Sequence, residues 1–177
     1  MQALSVEKLP EGDWLYEIKH DGYRALAFKD GKNVRLVSRN NKEFNYPQLL
    51  DALKALPAKH VVLDGEIAAL DEKGRSSFQL LQVYKSSEQR VPLVYYVFDL
   101  LFLDGKDLRK KPLSAKRQML AKLLEKAPEN IRISDELRGG TNGVLEGAFP
   151  SDRNRTRASE NARSQKVFTR IAAGNAS

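Results

Sequence analysis

The feature that most restricts this chain is a series of short alternating segments punctuated by Asp-Gly pairs. In Trp14–Lys19, Trp14, Tyr16 and Ile18 alternate with Leu15, Glu17 and Lys19. That is the two-residue period of a strand, and it puts Glu17 and Lys19 on one face. Asp21-Gly22 follows as a turn, Tyr23–Lys29 as a second strand, Asp30-Gly31 as another turn and Asn33–Ser38 as a third strand. Two tight returns of this kind predict an antiparallel meander.

Helical spacing then takes over. Tyr46, Leu49, Leu50, Leu53 and Leu56 recur at intervals of three and four, with Pro47 suited to the first turn. Val61–Leu70 reads as an apolar strand interrupted by Asp64-Gly65-Glu66, and Phe78–Gln82 as a short helix. Pro92–Leu103 is apolar, β-branched and aromatic, the pattern of a buried strand, and Asp104-Gly105 turns it. Ser114 is a candidate cap for a helix over Ala115–Lys126, Pro128 ends it, and Asn130–Ser134 forms one more strand. After Leu137 no amphipathic period persists, and residues 141–177 read as weakly ordered. No repeat of solenoid length is visible.

Composition narrows the function classes. The chain has 177 residues, 30 Lys+Arg against 23 Asp+Glu, and a net charge of +7. With 41% hydrophobic and 30% charged residues it is a soluble globular sequence of about one domain. The absence of Cys removes disulfides, thiolate nucleophiles and iron–sulfur clusters, and His20 and His60 alone cannot complete a Cys/His zinc site. A chain without disulfides fits the cytoplasm. No stretch reaches the ~18 apolar residues of a membrane span, and Met1–Trp14 lacks the core of a secretory signal. Residues 138–177 carry +4, from seven basic side chains and the acids Glu146, Asp152 and Glu160. A basic chain of this kind favours polyanion partners such as nucleic acid or nucleotides.

The stretch Glu17-Ile-Lys-His-Asp-Gly-Tyr-Arg24 is the most informative. A lysine on the inward face of a strand is costly without a partner, and a depressed pKa there makes its amine nucleophilic. Taken singly, each residue has a plainer reading. Lys19, Arg24 and Arg39 are surface cations, Asp64-Gly65-Glu66 is a turn, and Phe98 is a core aromatic.

The stretch resembles the nucleotidyl-transfer motif of ATP-dependent DNA ligases: a lysine, any residue, Asp-Gly, any residue, Arg. Residues 13–24, 36–42, 62–69, 74–82, 94–105 and 112–120 are similar to successive parts of the ligase adenylation domain, nearest to the bacterial ligase D type used in end joining. The likeness covers about residues 1–138.

The resemblance implies an α+β fold, with antiparallel sheets flanked by helices and an ATP cleft between them. It implies Lys19 as the adenylated nucleophile, Arg24 and Arg39 near the ribose and phosphates, and Phe98 stacked on adenine. Glu17 would read the adenine amino group, and Glu66 would bind the ribose hydroxyl or act through the metal. ATP with Mg²⁺ or Mn²⁺, and nicked or broken duplex DNA, are the implied cofactors and partner. End-joining proteins, a monomeric state and a bacterial cytoplasmic or nucleoid location go with them.

Two later family motifs are not matched. Leu145-Glu146-Gly147 is followed by Ala148-Phe149-Pro150-Ser151-Asp152, without the apolar run and lysine. Lys166 is the sole lysine after Lys126, so a pair of lysines one residue apart is missing. The sequence therefore reads as a ligase-like body over 1–140, incomplete at its C-terminal side and without an OB-fold, joined to an atypical basic segment over 141–177. Two rivals follow: an RNA ligase or mRNA-capping nucleotidyltransferase, and a non-catalytic nucleotide- or nucleic-acid-binding remnant.

Overall fold

The computed structural model describes residues 15–18, 20–84, 91–134, 136–138 and 167–170. The chain divides into two compact units, Asp21–Ile133 and a second made from Met1–His20 with Ser134–Ser177.

The larger unit is built on a sheet of seven described strands, in the order β4-β3-β2-β5-β6-β7 with β8 beside β6. They are β2 (Tyr23–Asp30), β3 (Asn33–Ser38), β4 (Glu43–Phe44), β5 (His60–Ala69), β6 (Leu93–Leu103), β7 (Lys106–Asp107) and β8 (Ile131–Ile133). Three helices join them: α1 (Pro47–Lys54), α2 (Phe78–Val83) and α3 (Leu113–Leu124). In the smaller unit β1 (Leu15–Ile18) lies between β10 (Val167–Arg170) and β9 (Glu136–Arg138), antiparallel to both.

Alternation along the central strands sends one set of side chains into a continuous core. Ala25 and Ala27 of β2, Leu36 of β3, Leu63 and Ile67 of β5, and Tyr95 and Leu100 of β6 are all buried there. The helices complete it with Leu49 and Leu53 of α1, Leu81 of α2 and Leu120 of α3. Pro47 opens α1, as its fixed φ favours. The C-terminal end of α1 is held by Lys29, a buried lysine of β2. Its Nζ donates to the carbonyls of Lys54 at 2.7 Å and Leu56 at 2.6 Å. A cation on orphan helix carbonyls is favourable, which offsets the burial that pushes the Lys29 pKa down.

The structure departs from the sequence reading in four places. Strand β2 is hydrogen-bonded to β3 on one edge and to β5 on the other. No edge of β2 is left for β1, so only the second Asp-Gly return makes a hairpin, and the antiparallel run goes on from β3 to β4 instead. Strand β5 runs unbroken through Asp64-Gly65-Glu66; the irregularity lies on its partner β6. Strand β8 pairs parallel to β6, so the sheet is mixed rather than wholly antiparallel. Helix α3 starts at Leu113 with Pro112 at its N-cap and no side-chain cap, which leaves Ser114 inside the first turn. The extended ψ of 145° at Pro112 already sets up the helix start.

The Asp104-Gly105 hairpin is as expected. Both residues have positive φ, 42° and 86°, the pattern of a type I′ turn. Asp104 Oδ1 also accepts from the backbone of Lys59 and His60, at 3.0 and 2.7 Å. Of residues 141–177, Val167–Arg170 form strand β10, and the others lie outside the described residues.

An aromatic ladder runs from Phe78 through Tyr23 and Phe44 to Tyr46 and Tyr84, with ring centroids 5.1–5.8 Å apart. It ties the segment after Asp21-Gly22 to α1 and α2. Tyr46 is fully buried and its hydroxyl has no hydrogen-bond partner among the described residues. Burial pushes its pKa up to about 12. Replacing both members of a buried polar contact is often neutral, and here one member is already missing. Tyr46→Phe is therefore expected to leave stability unchanged or raise it by up to about 1 kcal/mol. Urea denaturation of the two proteins checks this, and a clear loss would reveal a partner for the hydroxyl.

Candidate active site

The sequence-derived candidates gather where β2, β5 and β6 lie side by side. Arg24 of β2 is in register with Glu66 of β5, which pairs in turn with Tyr96 of β6. Arg24 reaches along its neighbour to Asp64 and binds it with a two-point fork, Nε to Oδ1 at 3.1 Å and Nη2 to Oδ2 at 2.7 Å. The Asp64 side chain is 7% exposed and that of Arg24 40%. A planar bidentate pair fixes the guanidinium in direction as well as position. The hydrogen bond to Asp64 is the main reason the Arg24 pKa is raised.

Phe98 sits at a β-bulge. Asp64 pairs with Asp99 and Gly65 pairs with Val97, so Phe98 is an extra residue on β6. Tyr95 and Val97 belong to the main core, and Phe98 falls on the opposite side by simple alternation, half-buried and outside the core cluster, against the plain core-aromatic reading. The bulge resets the alternation at Asp99, so that Leu100 returns to the core. Its ring centroid lies 5.5 Å from Arg24 Cζ, a cation–π distance. Arg24, Glu66 and Phe98 thus lie on neighbouring positions of β2, β5 and β6.

Arg39 is not drawn into this cluster as tightly. It follows Ser38, the register partner of Ala25, so it stands at the same end of the sheet as Arg24 on an exposed turn. Lys19 lies outside the described residues. The backbone of Glu17 lies in β1, opposite Phe168 and Glu136, and its side chain lies outside them too. His20 is buried, and burial lowers its pKa to about 4, so the imidazole is neutral at pH 7.

Several residues went unassigned in the sequence reading. Asp64 appeared only as a letter of Asp64-Gly65-Glu66, yet it orients Arg24. Asp99 and Lys116 form a buried ion pair next to the bulge, Nζ to Oδ1 at 2.7 Å, with both side chains 5% exposed. Asp21 binds a distant segment: its N–H donates to Ser76 Oγ at 3.0 Å, and its Oδ2 accepts from Phe78 N at 3.3 Å. The glycines are explained by crowding. A Cβ on Gly22 would lie 2.1 Å from the Ile67 carbonyl oxygen, and one on Gly65 would lie 2.5 Å from that of Tyr96.

A cavity of about 790 Å³ elsewhere on the sheet is lined by Phe28, Lys29, Asp30, Arg35, His60 and Phe102 among others. It shares no residue with the cluster. Within its lining, His60 Nδ1 lies 2.9 Å from Asp30 Oδ1, and Arg35 reaches Glu43 at 3.6 Å.

A family model for the ATP-dependent DNA ligase domain matches residues 2–150. The chain belongs to the ATP-dependent DNA ligase domain family. Among curated relatives, the multifunctional non-homologous end joining protein LigD of Pseudomonas aeruginosa is 39% identical over 138 residues, 76% of this chain and 16% of that protein. DNA ligase C1 of Mycolicibacterium smegmatis is 35% identical over 144 residues, 71% of this chain and 40% of that protein. The solved structure of mycobacterial DNA ligase D complexed with ATP and MES superimposes with a TM-score of 0.65 at 30% identity. It covers 81% of this chain and 48% of the other. The ligase domain therefore resembles the LigD type, and the chain spans about a sixth of the length of its LigD relatives.

Membership of the ligase family implies use of ATP and a divalent cation. Among the described residues no group of three or more His, Cys, Asp or Glu could hold a metal ion. Both oxygens of Asp64 are taken by Arg24. No helix among the described residues is long and apolar enough to cross a membrane.

Proposed function

We propose that this chain is the adenylation domain of a LigD-type ATP-dependent DNA ligase, forming a lysyl–AMP intermediate for joining nicked or broken duplex DNA. Lys19 is the nucleophile. Its neutral Nζ attacks the α-phosphorus of ATP, the bond to the β-phosphate oxygen breaks, and pyrophosphate leaves. AMP then passes to a DNA 5′-phosphate, and a 3′-hydroxyl displaces it.

The observation that carries this reading is the Arg24–Asp64 fork beside the bulged Phe98, with Glu66 in register opposite Arg24. Phe98 offers a π-face for adenine. Arg24 and Arg39 supply positive charge for the sugar-phosphate, with the Arg24 fork oriented before substrate arrives. Glu17 reads the adenine amino group, partly through its backbone. Glu66 holds the ribose hydroxyl or a divalent cation, Mg²⁺ or Mn²⁺. When bound, that cation neutralises phosphate charge and lowers the lysine pKa from its ordinary value of ~10.4. The body of the domain is residues 1–140, and residues 141–177 form an atypical basic segment. We place the protein in the bacterial cytoplasm as a monomer, beside end-joining proteins.

A second reading, a nucleotide- or nucleic-acid-binding remnant, is favoured by one observation: Glu146-Gly147 is followed by Ala148–Asp152, without a lysine. The ligase reading and a nucleotide-binding remnant both require adenine recognition by Phe98. Base–aromatic stacking is worth about 1–3 kcal/mol per base. Phe98→Ala is therefore expected to weaken AMP binding, measured by titration calorimetry, by about tenfold or more. Unchanged affinity would remove Phe98 from the site. Labelling by GTP in preference to ATP would favour a capping-type nucleotidyltransferase.

A further inference from the structure

Lys116 lies on α3 with its side chain buried, and it is none of the site residues that the resemblance named. It is nevertheless connected to them in two steps. Its ammonium grips both oxygens of Asp99, at 2.7 and 2.9 Å, and both side chains are buried. Asp99 is the residue directly after the bulged Phe98, and its Oδ1 also accepts from the N–H of Leu100 at 2.9 Å. The carboxylate thus fastens the strand just past its irregularity.

Asp99 is also the register partner of Asp64. Two buried carboxylates stand opposite each other across β5 and β6, and each draws on a different cation. Asp64 takes Arg24 from the site, and Asp99 takes Lys116 from the helix. Like charges so placed need both counterions. Without Lys116, the negative charge of Asp99 would compete with Asp64 for the Arg24 guanidinium. The negative charge of Asp99 already acts on Arg24 and helps to raise its pKa.

We propose that Lys116 is a positioning residue of the adenylation site: by neutralising and anchoring Asp99, it fixes the Phe98 ring and keeps the Arg24 fork on Asp64. It touches no substrate itself. The inference rests on the reading of the Arg24–Phe98 face as the nucleotide site.

The test uses the full chain, with AMP as the probe and titration calorimetry as the readout, beside urea denaturation of each variant. Lys116→Met is expected to weaken AMP binding by about tenfold or more, because a support shift of even ~1 Å is costly at such a site. Lys116→Arg, which keeps the charge, is expected to recover most of the affinity. Lys29→Met supplies the structural comparison. It removes another buried lysine, on β2, that holds the end of α1, and is expected to lower the denaturation midpoint while leaving AMP affinity within about twofold. If Lys116→Met does not fold, the double variant Asp99→Leu with Lys116→Met replaces the ion pair by apolar groups and is expected to fold but bind AMP weakly.

Wild-type affinity in a folded Lys116→Met or double variant would overturn the proposal. So would equal losses of affinity in Lys116→Met and Lys29→Met. If Phe98→Ala weakens binding and Lys116→Met does not, Lys116 alone is misassigned. If the wild-type chain does not bind AMP, the nucleotide-site reading fails and the Lys116 proposal falls with it.

Discussion

Replacing Gly65 by alanine is expected to cost about 3 kcal/mol of stability or more, the upper end of what overpacking a well-filled core does. Gly65 is buried in the middle of β5, with β2 on one side and β6 on the other. An added Cβ would lie 2.5 Å from the Tyr96 carbonyl oxygen and 2.7 Å from two carbons of the Tyr95 ring. Neither neighbour is free to give way. The carbonyl belongs to the β5–β6 ladder, and the Tyr95 hydroxyl is fixed 2.8 Å from the Ala25 carbonyl, to which it donates. Relief would therefore have to open the ladder beside Asp64 and Glu66. A urea midpoint within about 0.5 kcal/mol of the wild type would contradict the close approach. The same crowding at Gly22, against the Ile67 carbonyl, gives the Asp-Gly of the nucleophile motif a packing role as well as a turn role.

The second large effect is expected at Asp99. Asp99→Ala leaves the Lys116 ammonium buried without its carboxylate and removes the acceptor for Leu100 N. Breaking a buried pair from one side costs about 3–5 kcal/mol, whereas replacing both partners by apolar groups is often neutral. The double variant Asp99→Leu with Lys116→Met should accordingly be more stable than Asp99→Ala by several of those ~3–5 kcal/mol. Chemical denaturation of the single and double variants measures this. Equal losses in the two would mean that the carboxylate matters for something other than its pairing with Lys116.

Much of the fold could be read from residue periodicity. Helical spacing from Tyr46 to Leu56 and the apolar run of Pro92–Leu103 became α1 and β6, because burial of one face dominates local structure. What failed was pairing. Asp21-Gly22 and Asp30-Gly31 look alike as turns, but only the second joins neighbouring strands, since β5 claims the other edge of β2 from thirty residues downstream. Local sequence carries no record of that competition. Parallel pairing of β8 with β6 was hidden for the same reason.

The candidate site shows the same division. Motif resemblance named Arg24, Glu66 and Phe98, and they lie on neighbouring positions of β2, β5 and β6. It did not disclose the bulge at Phe98, because a bulge is defined only by register with β5. Nor did it disclose Lys116, whose partner is 17 residues earlier on another element. A lysine within the apolar spacing of Leu113, Leu120 and Leu124 was a signal of sorts, since a charge on a core-facing helix position calls for a partner.

Intact mass after incubation with ATP and Mg²⁺, run beside Lys19→Ala, is the measurement that bears most directly on the proposed function. An AMP-sized increment on the wild type, absent from the variant, is the expected result. A folded wild-type chain that gains no such mass, or a Lys19→Ala chain that gains it equally, would contradict the assignment of Lys19 as the adenylated nucleophile.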